Sequence, residues 1–366
     1  MNDFMEYCLK RFYRSSNWNE ENQYSNLCSW SRALLDFHTP RGLSLVISKL
    51  PTPQFKPSYT LNVLPSLNGS IGYLYTSRPL DIGTSATVDF QDLIDRFKIV
   101  VREPKEATDK ADYRVNPDYL LYGRMYFPGA RLEAMYVKRI SENMQYSITA
   151  VNSARAYVAP QVALQLQYDT GSWCSEGSYT TDDGLMGLRA LYNFGKQPTS
   201  TGQWSIGTEM YYGILDKSAG LSTGIRYRTL PTSKTSPVDF TYTLNPIVGH
   251  MSTSYAAKVS DQTVMCSRFD FNIYSYESDL AFGFEYRTKT KSPSIETEID
   301  EGVITLSADR TEKLEGLLKA RWGFMKGLAF MWEGRFKNIL FSLGLTADLK
   351  NINPVKTVGI ELQYFS

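Results

Sequence analysis

The chain has 366 residues, of which 42% are hydrophobic and 21% charged, a balance that excludes a largely disordered polypeptide. Its formal net charge of +1 disfavours nucleic-acid binding, which usually needs a concentrated basic surface. No run of about 18 apolar residues occurs, so no transmembrane helix is expected. The N-terminal residues lack the pattern of a secretory signal, and any targeting information is therefore expected to be internal.

Residues 1–18 combine apolar side chains at helical spacing with neighbouring basic ones. This pattern predicts a short amphipathic helix that packs against or inside the main domain. A helix that binds a partner is the alternative. The residues that make the pattern are Phe4, Met5, Cys8, Leu9, Phe12 and Tyr13, with Lys10, Arg11 and Arg14 beside them.

From residue 30 to residue 366 the dominant pattern is an alternation of apolar and polar residues, which is typical of β-strands. In residues 356–365, for example, Val358 and Ile360 alternate with Thr357 and Gly359. We count about 16 such segments, many close to the 9–11 residues with which a tilted strand crosses a bilayer. Turn signals separate them, so an antiparallel meander is expected.

The alternating faces favour a membrane barrel over a soluble β-sandwich. The polar faces carry charges of both signs, whereas the apolar faces often end in aromatic residues such as Trp204 and Tyr286. An outward apolar band with aromatic girdles around a polar lumen is typical of transmembrane barrels. The charged and poorly periodic stretches near residues 78–118 and 287–313 are interpreted as loops outside the membrane.

No pattern in the chain predicts catalysis. The four cysteines are scattered and form no C-x-x-C pair, which predicts isolated reduced thiols. His38 and His250 are too few and too far apart for a metal site. Because nucleophile motifs and phosphate-binding glycine loops are also absent from the sequence, we expect no enzymatic activity, cofactor or metal.

Short strings along nearly the whole chain resemble the mitochondrial distribution and morphology protein 10 family of fungi. They include residues 34–37 (LLDF), 68–75 (NGSIGYLY), 122–128 (YGRMYFP), 245–250 (NPIVGH), 269–275 (FDFNIYS) and 332–334 (WEG). The resemblance implies a barrel of the voltage-dependent anion channel type with about 19 strands. It also implies a location in the mitochondrial outer membrane.

The same resemblance implies an adaptor that takes part in two assemblies. One is the tether between endoplasmic reticulum and mitochondria, which supports lipid exchange and mitochondrial morphology. The other is the sorting and assembly machinery, whose core barrel and peripheral subunits insert outer-membrane barrels and help to assemble the import translocase. Membrane lipids are further expected partners, and nucleic acid is not.

The alternative function is a metabolite-conducting porin-like channel, because a barrel of this size can enclose a water-filled lumen. A selective anion pore would carry a clear excess of positive charge on its polar faces. The predicted polar faces instead mix arginines with acidic residues, for example Arg226 and Arg228 with Asp239 and Glu361. This mixture favours the adaptor.

The last predicted strand matches the polar-x-Gly-x-x-apolar-x-apolar signal of mitochondrial barrel precursors. The matching residues are Thr357, Gly359, Leu362 and Tyr364. An unpaired last strand is a template for strand addition, and a glycine permits close approach of another backbone. An ordinary final strand with a coincidental glycine is the alternative.

Ile71, Tyr73 and Tyr75 share one face of an early predicted strand. They could form a docking patch for another barrel, where tyrosine supplies a large contact area at low entropic cost. They could equally belong to an aromatic girdle in contact with lipid.

Overall fold

The computed structural model describes residues 3–80, 82–88, 90–97, 118–153, 159–195, 201–230, 236–300, 303–348 and 354–366, with 289–300 and 303–315 described by their backbone alone. The described strands form one closed sheet of 19 strands. This confirms the all-β barrel and the strand number implied by the resemblance. The direct count of about 16 from alternation alone was too low.

The helices and strands follow one another in a simple order. The helical elements are α1 (Phe4–Ser15), a 3₁₀ turn (Tyr24–Asn26), α2 (Ser29–Leu35) and α3 (Phe90–Leu93). The strands are β1 (Gly42–Ser48), β2 (Phe55–Leu64), β3 (Asn68–Thr76), β4 (Tyr119–Phe127), β5 (Arg131–Ser141), β6 (Met144–Asn152), β7 (Gln161–Asp169), β8 (Trp173–Thr180), β9 (Leu185–Phe194), β10 (Gly202–Gly213), β11 (Ser218–Thr229), β12 (Val238–Asn245), β13 (His250–Lys258), β14 (Thr263–Asn272), β15 (Ser278–Asp300), β16 (Val303–Gly323), β17 (Gly327–Phe336), β18 (Ile339–Ala347) and β19 (Val355–Phe365).

Each strand pairs with the strands before and after it in the chain, always antiparallel, and β1 closes the barrel against β19. The β1–β19 pair is parallel and runs from Gly42–Gly359 to Ser48–Phe365. We call this pair the seam. It follows from the odd number of strands, because the first and last of 19 alternating strands point in the same direction.

The two faces of the sheet differ in polarity. On β9, Leu188 and Tyr192 point outward and are exposed, whereas Asn193 points into the lumen and is buried. The same alternation places Leu343 outward and Ser342 inward on β18. An outer surface this apolar is stable where lipid rather than water surrounds it.

The lumen contains the chain's own N-terminal residues. The described helices include none long and apolar enough to cross a membrane. Helix α1 lies within the predicted helical segment 1–18, and its apolar side is buried. The sheet begins at Gly42 and not at residue 30, because residues 29–35 form α2, whose Leu34 and Leu35 are buried against the inner wall of β13–β16.

The structure differs from the prediction in the described parts of both stretches that were interpreted as outer loops. Residues 78–97, as far as they are described, lie in the lumen and not outside the membrane, because Leu80, Ile82 and Phe90 pack against α1 in one buried cluster. Residues 98–117 lie outside the described part. The stretch near residues 287–313 extends the paired strands β15 and β16, since backbone hydrogen bonds can continue a ladder without an apolar face.

Candidate functional site

The predicted docking residues Ile71, Tyr73 and Tyr75 all point outward on β3. Between them, Gly72 and Leu74 face the lumen and are buried. Tyr73 is 48% exposed and Tyr75 is 37% exposed, which makes their rings available to whatever surrounds the barrel. The patch is therefore accessible only from within the membrane or from a protein beside the barrel.

These tyrosines belong to a row of aromatic rings that crosses five neighbouring strands, which we call the aromatic ladder. The rings of Phe55 and Tyr73 stack with their centroids 5.8 Å apart. From Tyr75 the ring centroids continue to Tyr119 at 6.1 Å, to Tyr136 at 6.5 Å and to Tyr146 at 5.8 Å. Such ring pairs contribute favourable contacts beyond their buried area.

Aromatic pairs also lie elsewhere along the same rim, the one at which β19 ends. We call it the C-terminal rim. The pairs are Tyr168–Trp173, Tyr192–Phe194 and Trp204–Tyr227. The aromatic ladder is thus part of a girdle, and its exposure alone fits lipid contact as well as docking. The rings outside the ladder also lie on neighbouring strands, since Trp173 pairs with Tyr192 and Trp204 pairs with Phe194.

An apolar groove of about 570 Å³ adjoins the aromatic ladder on the outer wall. It includes Ile71, so the groove and the patch share a residue. Gly69 faces outward between Leu61 and Phe127, and its missing side chain leaves the groove open. A Cβ atom at Gly69 would lie only 2.8 Å from the carbonyl oxygen of Thr60, so the strand backbone also requires glycine here.

The residues of the predicted assembly signal divide between the two faces of β19. Leu362 and Tyr364 point outward, whereas Thr357 and Gly359 face the lumen. A Cβ atom at Gly359 would overlap the backbone of Pro40, which lies directly against it. In the folded barrel, the backbone that approaches this glycine is therefore the chain's own.

Ion pairs join α1 to residues 90–97 within the lumen. Lys10 Nζ lies 2.7 Å from Asp95 Oδ1, and Asp92 accepts hydrogen bonds from Arg14 at 2.7 Å and pairs with Arg11 at 3.1 Å. Burial by itself would lower the pKa of Lys10, but the negative charges of Asp95 and Glu6 outweigh it and raise that pKa. The Lys10–Asp95 pair therefore stays ionised at neutral pH.

Asp36 anchors the end of α2 to the inner wall. Arg268 donates to its two oxygens at 2.5 and 3.0 Å, and Lys326 donates at 2.9 Å. Burial would raise the pKa of Asp36, but the hydrogen bonds from Arg268 and Lys326 outweigh it and lower the pKa to about 2. The carboxylate is thus charged and saturated with donors, and it is not poised for proton transfer.

A polar cavity of about 540 Å³ remains between the lumen helices and the wall. Acidic and basic groups both line it, among them Glu6, Arg32 and Glu333. Within the described ranges, no group of three or more His, Cys, Asp or Glu residues is placed to hold a metal ion. The described cysteines are free thiols, and burial raises the pKa of the Cys8 thiol, which makes it a poor nucleophile.

Comparison with known proteins gives a consistent result. The family model described as mitochondrial distribution and morphology protein 10 matches residues 1–313 and 297–366. Proteins of that name from Phaeosphaeria nodorum and Postia placenta are 41% and 38% identical to this chain, each over 100% of both sequences. The protein of the same name from Meyerozyma guilliermondii is 35% identical over 100% of this chain and 98% of its own length.

Proposed function

Because the chain belongs to the mitochondrial distribution and morphology protein 10 family, we propose that it is an adaptor barrel of the mitochondrial outer membrane. It anchors the complex that tethers the endoplasmic reticulum to mitochondria and so supports lipid exchange and mitochondrial morphology. It also associates with the sorting and assembly machinery during barrel insertion and import translocase assembly.

The aromatic ladder with its adjoining groove is the observation that supports this proposal best. An adaptor inside a bilayer needs a surface that distinguishes another protein from lipid. Neighbouring flat rings with hydroxyl groups provide such a surface, and interface hot spots are enriched in tyrosine. The groove next to Ile71 adds a concave apolar feature that an opposing side chain can enter.

The proposed partners divide between two surfaces. The ladder on β2–β6 meets the core barrel or a peripheral subunit of the sorting and assembly machinery. The subunits of the tether bind elsewhere on the molecule, because a second assembly needs a separate surface. The protein contacts import translocase subunits while the translocase is assembled, and lipid contacts the rest of the outer wall.

The docking proposal is tested by replacing Tyr73 and Tyr75 together with leucine. Leucine keeps an apolar surface for lipid but removes the rings and hydroxyl groups, and loss of a hot spot can weaken binding by about 2 kcal/mol or more. We expect the variant to remain membrane-embedded, to lose co-purification with the sorting and assembly machinery from mild detergent, and to keep its association with the tether.

The matched control replaces two girdle tyrosines outside the ladder, Tyr168→Leu with Tyr192→Leu. Both are similarly exposed at the same rim, at 37% and 49%. This control should keep both associations. If Tyr73→Leu with Tyr75→Leu also keeps both, or if the control loses the machinery equally, the ladder is a lipid-facing girdle and the docking proposal fails.

A further inference from the structure

The seam differs in two ways from the other strand pairs that the structure describes. It is the only parallel pair among the strands that the structure describes, and β1, with seven residues, is the shortest of those strands. Parallel pairing is slightly less stable per residue than antiparallel pairing. More than 300 residues of chain separate its two strands, so no short turn holds them together.

Helix α1 contacts the wall on one side of the seam through its first residues. Asp3, just before the helix, lies 2.6 Å from the guanidinium group of Arg124 on β4. The side chain of Met5 covers Gly72 on β3, where a Cβ atom would lie 3.0 Å from the Met5 methyl carbon. These contacts attach α1 to β3 and β4.

The same helix contacts the strand on the other side of the seam. The ring of Phe4 packs against the ring of Phe365 on β19, with centroids 5.3 Å apart. Each of these two side chains is only 1% exposed. A single helical turn therefore joins β3 and β4 to β19 from inside the lumen, across β1 and β2.

Residues 82–88 extend this connection to β17, to the turn between β17 and β18, and to β19. The backbone N–H of Ser85 donates to the carbonyl oxygen of Phe365 at 2.9 Å, and its hydroxyl donates to that of Asn338 at 2.5 Å. The guanidinium group of Arg335 donates to the carbonyl oxygens of Ala86, at 3.2 Å, and Val88. The ion pairs of Asp92 and Asp95 then link this segment back to α1.

The residues just before β1 pack on β18 and β19, at the other side of the seam. Pro40 lies against Gly344 on β18 and Gly359 on β19, and neither position has room for a Cβ atom. The segment just before β1 thus packs on β18 and β19, the last two strands of the sheet.

We propose that Asp3 with α1, and residues 82–88 and 90–97, which together we call the lumen strap, hold the β1–β19 seam closed from inside. The strap attaches to both sides of the seam, so opening the seam requires breaking its buried contacts as well as the seam's own hydrogen bonds. The proposal is independent of the docking function, because none of the strap contacts involves the outer wall.

The test measures seam opening with a cysteine pair, Leu43→Cys with Ile360→Cys. These residues are partners in the seam and both point outward. The purified full-length barrel in detergent is oxidised briefly at rising temperatures, and the cross-linked fraction is measured by denaturing gel mobility. A protein with Leu43→Cys alone accounts for cross-links to the native cysteines.

The contacts of the strap on the two sides of the seam are both removed by Asp3→Ala with Phe4→Ala. We expect the cross-linked fraction of this variant to fall at a temperature several degrees below that of the parent barrel. The control, Glu6→Ala with Leu9→Ala, removes one carboxylate and one apolar side chain from the same helix but neither seam contact. It should retain the parent's temperature profile.

A second pair of variants tests the same proposal if the protein with Asp3→Ala and Phe4→Ala does not fold. Arg335→Gln removes the guanidinium group that donates to the strap carbonyl oxygens of Ala86 and Val88, whereas Arg189→Gln removes the guanidinium group on β9 that pairs with Glu209 on β10. Early loss of cross-linking with Arg335→Gln alone supports the strap. Seam profiles that match the parent in whichever strap variants fold overturn it.

Discussion

At the scale of single residues, the sharpest contrast lies between neighbours on one strand that face different environments. Leu164 points outward near the middle of β7 and is exposed. Gln165 points inward and donates to Glu176 at 3.0 Å. One side chain thus requires an apolar surrounding, whereas the other already lies beside a carboxylate.

We therefore expect Leu164→Arg to destabilise the inserted barrel by about 2–4 kcal/mol, the range for arginine at the lipid-facing midplane of a barrel. Gln165→Arg places the same charge next to Glu176 and should cost much less. The measurement is guanidinium unfolding of the barrel reconstituted in lipid. Equal losses for the two variants would contradict the assignment of the two faces.

Residue-level faces were predictable from the sequence because side chains alternate along a strand regardless of what lies far away. Tyr73, Leu362 and Tyr364 could be placed on an apolar face in this way. The contact of Gly359 with Pro40 could not, although the glycine suggested a close backbone. More than 300 residues separate the two positions, and no local pattern identifies which backbone approaches.

At the scale of secondary-structure elements, β19 is both the last strand of the seam and the bearer of the proposed assembly signal. We predict that Leu362→Ala with Tyr364→Ala slows insertion without blocking passage across the outer membrane. The reason is that the sorting and assembly machinery would bind these two outward side chains while the strand is still unpaired. The measurement is resistance to carbonate extraction over time after import into isolated mitochondria.

Val358→Ala with Ile360→Ala is the matched control, since these residues point outward on the same strand but lie outside the signal positions. It should insert at nearly the parent's rate. If the signal variant becomes carbonate-resistant as fast as this control, β19 is an ordinary final strand.

Elements with a marked apolar alternation were predictable, and those without it were not. Strand β8 carries Ser175 and Gly177 on its outward face, so its alternation is weak. The backbone of β15 and β16 continues as a paired ladder through a charged stretch whose sequence predicts a loop. Residues 78–97 carry no strand or helix pattern, but their apolar side chains are buried because the lumen offers a surface to pack on.

At the scale of the whole molecule, the filled lumen bears on the alternative function as a channel. The described lumen segments pack into the barrel and leave a cavity of about 540 Å³ lined by both signs of charge. A wide, selective path for metabolites would need an open lumen with an excess of one charge.

We expect the purified protein in a planar lipid bilayer to conduct far less current than a voltage-dependent anion channel in the same salt. Its ion selectivity should be weak, because opposite charges line the remaining space. A conductance similar to that of the anion channel would favour the porin-like function over the adaptor. Empty bilayers carrying the same detergent serve as the control.

The odd number of strands also bears on how a barrel of this kind can arise. Duplication of hairpins adds strands in twos, and it turns one fully antiparallel closed sheet into another. A closed sheet of 19 strands must contain a parallel neighbour pair, which here is β1 with β19. Hairpin duplication from an all-antiparallel ancestor cannot produce that arrangement. If the ancestor was fully antiparallel, at least one step in the history of the architecture gained or lost an odd number of strands.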